Sequence, residues 1–241
     1  MSSHYYSASG DLVPGYTKGA YPSPSTILDI YKNEGILAFR ARIGEEAADL
    51  HMVEAQERGT RVHKACELWA NSGDYEASAN EALLKDGEWA YLDGFINWWE
   101  KYRPTLVKTE MFLENETLKY RGRTDLIVVL DGTVWVIDLK TGATRVKHGL
   151  QIKFYQAAYL DMVKRGLVQP VPGKVRMAGL YVDKTRTCGY RYFRSPYGLL
   201  EYTESLATIK HHLMVFRWQQ KKEPGSFGLK APVEGEAVWK D

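Results

Sequence analysis

Asp131-Gly132 separates two strand-like stretches and sets the register between them. An Asp-Gly pair is a preferred two-residue hairpin loop, because a type I′ turn needs positive φ at both central positions. The stretch before it reads Gly122-Arg-Thr-Asp125-Leu-Ile-Val-Val-Leu130. The stretch after it reads Thr133-Val-Trp-Val-Ile-Asp138-Leu-Lys140-Thr-Gly142. A two-residue loop pairs Leu130 with Thr133, and counting back places Asp125 opposite Asp138. Facing residues of an antiparallel pair share a face, with Cβ atoms about 4.5–5.5 Å apart. Lys140 lies two residues beyond Asp138 and points the same way. Two carboxylates at that separation repel each other unless a cation lies between them. The second strand is apolar on both faces until its end, as in a strand covered on both sides.

The rest of the chain changes period once. Residues 1–21 are rich in Ser, Tyr and Gly and read as a flexible arm. Ser23 and Ser25 in Pro22-Ser-Pro-Ser25 are candidate helix N-caps. Residues 26–72 read as several short helices, with Gly59 dividing two of them. Residues 73–86 are polar and loop-like, with room for a helical turn at 79–84. Glu88–Tyr102 is helical by the spacing of Trp89, Leu92, Ile96 and Trp99, and Pro104 limits it. Period two then takes over in strands at 106–113, 119–130 and 133–140. A helix over 150–164, strands at 175–182 and 188–193, and a long helix over 199–220 complete the order. The division expected is an arm (1–21), a helical block (22–104), a core (105–221) and a tail (222–241), with 22–221 folding as one domain. The order predicts an α/β fold, a central mixed sheet flanked by helices with a helical N-terminal elaboration.

Composition narrows the options. With 44% apolar residues the chain can bury a real core. Its 32 basic and 30 acidic residues nearly balance, so any nucleic-acid surface must be local. Two distant cysteines, Cys66 and Cys188, provide no disulfide framework, no zinc knuckle and no iron–sulfur cluster. They suit a reducing, cytoplasmic setting. No apolar run is long enough to span a membrane, so no membrane association is expected.

Several side chains join the hairpin as candidates. His63 stands one helical turn before Glu67, an ordinary i,i+4 surface pair or a metal ligand with its supporting partner. Gln151 and Tyr155 are four apart and share a helix face. Glu110, on the strand before the hairpin, is either a third carboxylate at the same place or a surface residue. An acidic pair that holds a cation beside a lysine is an apparatus for cutting phosphodiesters.

These pieces together resemble the RecB-like branch of the PD-(D/E)XK nuclease superfamily. Gly59-Thr-Arg-Val-His63 with Glu67 is similar to the branch's helical glycine-to-histidine motif. Gly122-Arg-Thr-Asp125 is similar to its first aspartate motif, Ile137-Asp138-Leu-Lys140-Thr-Gly142 to its Asp-x-Lys motif, and Gln151-Ile-Lys-Phe-Tyr155 to its Gln-x-x-x-Tyr helix. Pro22-Ser-Pro-Ser-Thr-Ile-Leu28 resembles a segment of phage exonucleases and of the mitochondrial genome-maintenance exonuclease. The likeness runs from about residue 22 to 220. The cysteine cluster of many CRISPR-adaptation relatives is missing, and so are helicase domains.

The resemblance implies a restriction-endonuclease-like core and a deoxyribonuclease dependent on one or two Mg²⁺ or Mn²⁺ ions, most simply an exonuclease at DNA ends with single strands favoured. It implies Asp125, Asp138 and Lys140 as catalytic residues. His63, Asp125, Asp138 and the backbone carbonyl of Leu139 would be metal ligands, with Glu110 for a second ion. Gln151, Tyr155 and Arg123 would hold DNA, and Glu67 would support His63. It also implies a bacterial or phage-infected cell, and work in repair or recombination beside a strand-annealing or single-strand-binding protein. Two alternatives stay open: a double-strand-specific recombination exonuclease, and a DNA-binding module that keeps the fold without catalysis.

Overall fold

In the computed structural model the described residues are 4–14, 19–30, 34–182 and 197–222. A five-stranded sheet forms the centre. Its strands are β4 (Thr105–Asn115), β5 (Tyr120–Leu130), β6 (Thr133–Lys140), β7 (Val175–Val182) and β8 (Tyr197–Glu201), in that order across the sheet. All neighbours are antiparallel except β6 and β7. That parallel pair needs a crossover, and helix α6 (Val146–Lys164) supplies it.

The hairpin register follows from its turn. Leu130 pairs with Thr133, and the ladder continues to Leu126 and Ile137. Asp131 and Gly132 have φ of 49° and 68°, the two positive values of a type I′ turn. The faces of β6 also follow the alternation. Val134 and Val136 enter the core beneath α6 and α7 (Leu206–Lys222), while Trp135, Ile137 and Leu139 enter a second core on the opposite face. Helices α3 (Glu45–Ser72), α4 (Tyr75–Glu81) and α5 (Trp89–Tyr102) cover that second face. There Leu92, Phe95 and Trp98 are buried, and each such side chain contributes about 1.5–3 kcal/mol. This is the restriction-endonuclease-like arrangement of a mixed sheet between helical layers.

Four local expectations are corrected. Residues 1–21 do not form a loose arm throughout: β1 (His4–Tyr6), β2 (Leu12–Pro14) and β3 (Tyr21–Pro22) make a small antiparallel sheet. Arg121 ties it to the core by donating from Nη1 to the carbonyls of Tyr6 and Gly19, at 3.2 and 2.9 Å. Helix α3 runs through Gly59 without a break, because flanking good helix formers outweigh a single glycine. The polar stretch after Gly73 contains α4, capped by the Asp74 side chain on the Ala77 N–H. The expected helix over 199–220 is instead β8 followed by α7, which starts only at Leu206. Short helices α1 (Pro24–Leu28) and α2 (Glu34–Ile43) complete the block, and Ser23 caps α1 through the Thr26 N–H. The expected strand at 188–193 and the tail from 223 lie outside the described residues.

Candidate active site

Strands β5 and β6 part at the acidic pair. Below Leu126–Ile137 the backbone ladder is replaced by side chains of β5. The Thr124 hydroxyl donates to the Ile137 carbonyl at 3.1 Å, and Asp125 Oδ2 accepts from the Leu139 N–H at 2.6 Å. Thr124 is fully buried. Sequence reasoning overlooked it, although it stands inside the quoted Gly-Arg-Thr-Asp motif.

Asp125 also faces α3, where its Oδ1 lies 3.1 Å from His63 Nδ1. Burial acts to raise the Asp125 pKa. The His63 ring, the Lys140 ammonium and the Leu139 N–H outweigh it and hold the carboxyl below its ordinary value. Burial likewise disfavours the charged His63 ring, yet Asp125 outweighs it and keeps the imidazole pKa above normal. Asp138 is 3% exposed. Burial pushes its pKa up, Lys140 pulls it down, and the nearby Asp125 charge pushes it up again. Its Oδ2 meets the Lys140 ammonium as an ion pair but has no partner in hydrogen-bonding geometry. The two carboxylates therefore act on one another, although the ladder stops at Leu126–Ile137 and Asp125 reaches the Leu139 N–H instead of pairing directly with Asp138.

Helix α6 holds the other side. Lys140 Nζ donates to Gln151 Oε1 at 3.2 Å, and Gln151 Nε2 donates to the Tyr155 hydroxyl at 3.0 Å. Lys140, Gln151 and Tyr155 are thus one chain of hydrogen bonds running from the acidic pair. Gly122 makes room for its far end. A Cβ there would stand 2.8 Å from Tyr155 Cε1 and 3.0 Å from Pro24 Cδ, which is why that motif position carries no side chain.

Glu110 has an unusual backbone. Its φ is 44°, in the left-handed region within a strand. Its neighbours then lie on different sides of the sheet: Thr109 accepts from Asn71 of α3, whereas Met111 packs in the core beneath α6. Simple alternation would put Thr109 and Met111 on one face. A cavity of about 20 Å³ lies here between α3 and the sheet, lined by His63, Glu67, Glu110 and Asp125 among others. Burial, with the Asp125 and Glu67 charges, pushes the Glu110 carboxyl up to about 7.

Other expected residues sit differently. Glu67 pairs with Lys64 at 3.0 Å, while the hydrogen bond of His63 goes to Asp125. Extending the ideal hairpin register would put Arg123 opposite Lys140, but β5 has left β6 by that point and Arg123 pairs with Phe112 of β4. Its guanidinium donates to the carbonyls of Glu110 and Gly10, docking the N-terminal sheet. Leu139 reaches Asp125 through its N–H. No residue pattern points to a chain beside the site in which His148 Nδ1 lies 2.9 Å from the Tyr181 hydroxyl, itself 2.6 Å from that of Tyr202. Burial, with Lys140 next, drives the His148 pKa down to about 3, so its ring is neutral.

Among the described residues no three His, Cys, Asp or Glu side chains converge as a finished metal cage. The acidic pair still has the donor chemistry for a hydrated divalent ion. Mg²⁺ is commonly held by only one or two carboxylates and keeps several waters. A buried Asp138 carboxylate, offset only by the Lys140 ammonium and acting on a second carboxylate, fits that demand.

A buried acidic pair beside a lysine, at the parting of two strands in a mixed sheet, defines a class of nucleases. The family model of the PD-(D/E)XK nuclease superfamily matches residues 36–223, and the chain belongs to that superfamily. No curated protein matches it. Nucleases of this superfamily bind DNA and use divalent metal ions such as Mg²⁺. Among the described residues no helix is long and apolar enough to cross a membrane.

Proposed function

We propose that the chain is a Mg²⁺- or Mn²⁺-dependent deoxyribonuclease that hydrolyses phosphodiester bonds at DNA ends, with single strands preferred. The observation that carries this reading is the continuous contact from the acidic pair through Lys140 to Gln151 and Tyr155. Asp125 and Asp138 would hold the ion, with the Leu139 carbonyl and His63 as further donors and Glu110 serving a second ion. A bound divalent ion supplies Lewis acidity, lowering the pKa of a water and neutralising charge on phosphate.

The chain's own residues do the rest. Lys140 pairs with Asp138 and is aimed by Gln151, so it orients the attacking water and stabilises negative charge developing on the phosphorus oxygens. Gln151 and Tyr155 hold the strand by hydrogen bonding and packing. The helical block, whose α3 brings His63 and Glu67 to the site, would shape the entrance in a way that favours a single strand over a duplex. A cytoplasmic role in repair or recombination, beside a strand-annealing or single-strand-binding protein, is consistent with that activity. Phosphate contacts release counterions, so binding weakens as salt rises.

The test is digestion of end-labelled single- and double-stranded oligonucleotides with Mg²⁺, Mn²⁺ or EDTA, for the wild-type chain and Lys140→Ala. Products shortening from one end, lost with EDTA and with Lys140→Ala, are expected. Cleavage that persists in Lys140→Ala would remove Lys140 from the chemistry. Faster digestion of blunt duplex than of single strands would favour a double-strand-specific recombination exonuclease.

A further inference from the structure

A second feature lies on the far side of α6. Lys153, Ala157, Leu160 and Lys164 form one stripe of that helix, spaced four, three and four residues apart. Gln151 and Tyr155 point the other way by the same period. The stripe faces the start of α7 and the β4–β5 turn, enclosing a groove of about 270 Å³. That is just below small-molecule clefts of about 300–1,000 Å³, so the groove receives one or two side chains of a larger partner rather than a whole ligand.

The lining is apolar at its base and positive at its rim. Leu118 and Ala157 are buried. Leu160 and Leu206 flank the opening and are each 44% exposed. Lys153, Lys164 and Lys210 surround them. Lys153 Nζ donates to the neutral amide of Gln156 at 2.8 Å, and burial lowers its pKa. Among the described residues none of the three ammonium groups is ion-paired with a carboxylate. The one acid in the lining, Asp161, is already engaged. It accepts from the Glu116 N–H, the Thr117 hydroxyl and Arg165, at 3.2, 3.1 and 3.4 Å. Three lysines around two exposed leucines, with Glu204 acting on Lys153 alone, leave a net-positive, apolar docking surface.

We propose that this groove docks an acidic peptide segment of a partner protein, its apolar side chains seated between Leu160 and Leu206 and its carboxylates against Lys153, Lys164 and Lys210. A nucleic-acid strand fits less well. Among the described residues the lining has neither the aromatic ring on which a base stacks nor a guanidinium to fork onto phosphate. Because the groove faces away from Gln151 and Tyr155, a docked partner leaves the site open to DNA. The proposal is therefore independent of the nuclease reading.

Fluorescence anisotropy of the full chain with a fluorescein-labelled peptide of aspartates and glutamates ending in leucine and phenylalanine tests this. Saturable binding of about 10 µM is expected, weakening with salt. The double variant Lys164→Glu/Lys210→Glu should weaken it about tenfold or more, as should Leu206→Asp or serines in place of the two apolar residues of the peptide. All these positions are at the surface, so melting temperature and oligonucleotide cleavage should hold. Absence of saturable binding, or equal binding by the charge-reversed chain, overturns the proposal. Displacement of the peptide by a single-stranded oligonucleotide, with both ligands lost on charge reversal, overturns it too and assigns the groove to nucleic acid.

Discussion

Glu110 offers the sharpest test of the site's electrostatics. Its carboxyl is raised from 4.5 to about 7 by burial and by Asp125 and Glu67. A folded-state pKa above the unfolded one means that folding favours the proton. The stabilisation is complete below about pH 4.5 and is lost as pH rises through 7. A shift of this size corresponds to at most about 3 kcal/mol, at 1.36 kcal/mol per unit. Glu110→Gln mimics the protonated form at every pH. In metal-free buffer the stability of the wild-type chain relative to Glu110→Gln should therefore fall between pH 5 and pH 8 by up to that amount. For a chain of this length that is about 6–12 °C in melting temperature. Thermal melts in EDTA across that range measure it. Parallel pH curves for the two proteins would refute the reasoning, and so would a gap that widens toward acid. With Mg²⁺ or Mn²⁺ the gap should shrink, since a cation at the acidic cluster pulls the proton off Glu110.

Other outcomes follow from single contacts. Gly122→Ala drives a Cβ into Tyr155 and Pro24; it should cost about 1–3 kcal/mol in urea titrations and slow turnover more than it weakens DNA binding. Lys140→Met strips buried Asp138 of its cation and should cost about 3–5 kcal/mol at neutral pH, much of it recovered in Lys140→Met/Asp138→Asn; a double variant no more stable than the single would contradict this. Arg121→Met removes the anchor of the N-terminal sheet. Hydrogen exchange should then quicken at residues 4–14 while the central sheet keeps its protection.

The hairpin was legible because its register depends on a local turn rule. Asp131-Gly132 fixed the pairing, and pairing fixed which side chains share a face. The Gln151–Tyr155 edge was legible for the same reason, since a helical period needs no tertiary knowledge. Arg123 was misplaced because ideal register was extended past Leu126, where Thr124 and Asp125 substitute side-chain bonds for the ladder. Glu110 could not be placed, because its positive φ changes which face its neighbours take. The N-terminal sheet escaped because its strands are two or three residues long, and its hold on the core rests on Arg121 and Arg123, about a hundred residues away. The helix boundary at Leu206 was missed because the preceding Tyr197–Glu201 pairs with β7, a long-range choice that propensity does not encode.

Tyr5 of the N-terminal sheet is 1% exposed, and its hydroxyl accepts from Gln220 near the end of α7 at 3.3 Å. The small sheet and the end of α7 are thus one seam, and loosening either releases the other. Fraying of α7 at Gln220 should speed hydrogen exchange at Tyr5 while the β5–β6 hairpin stays shut.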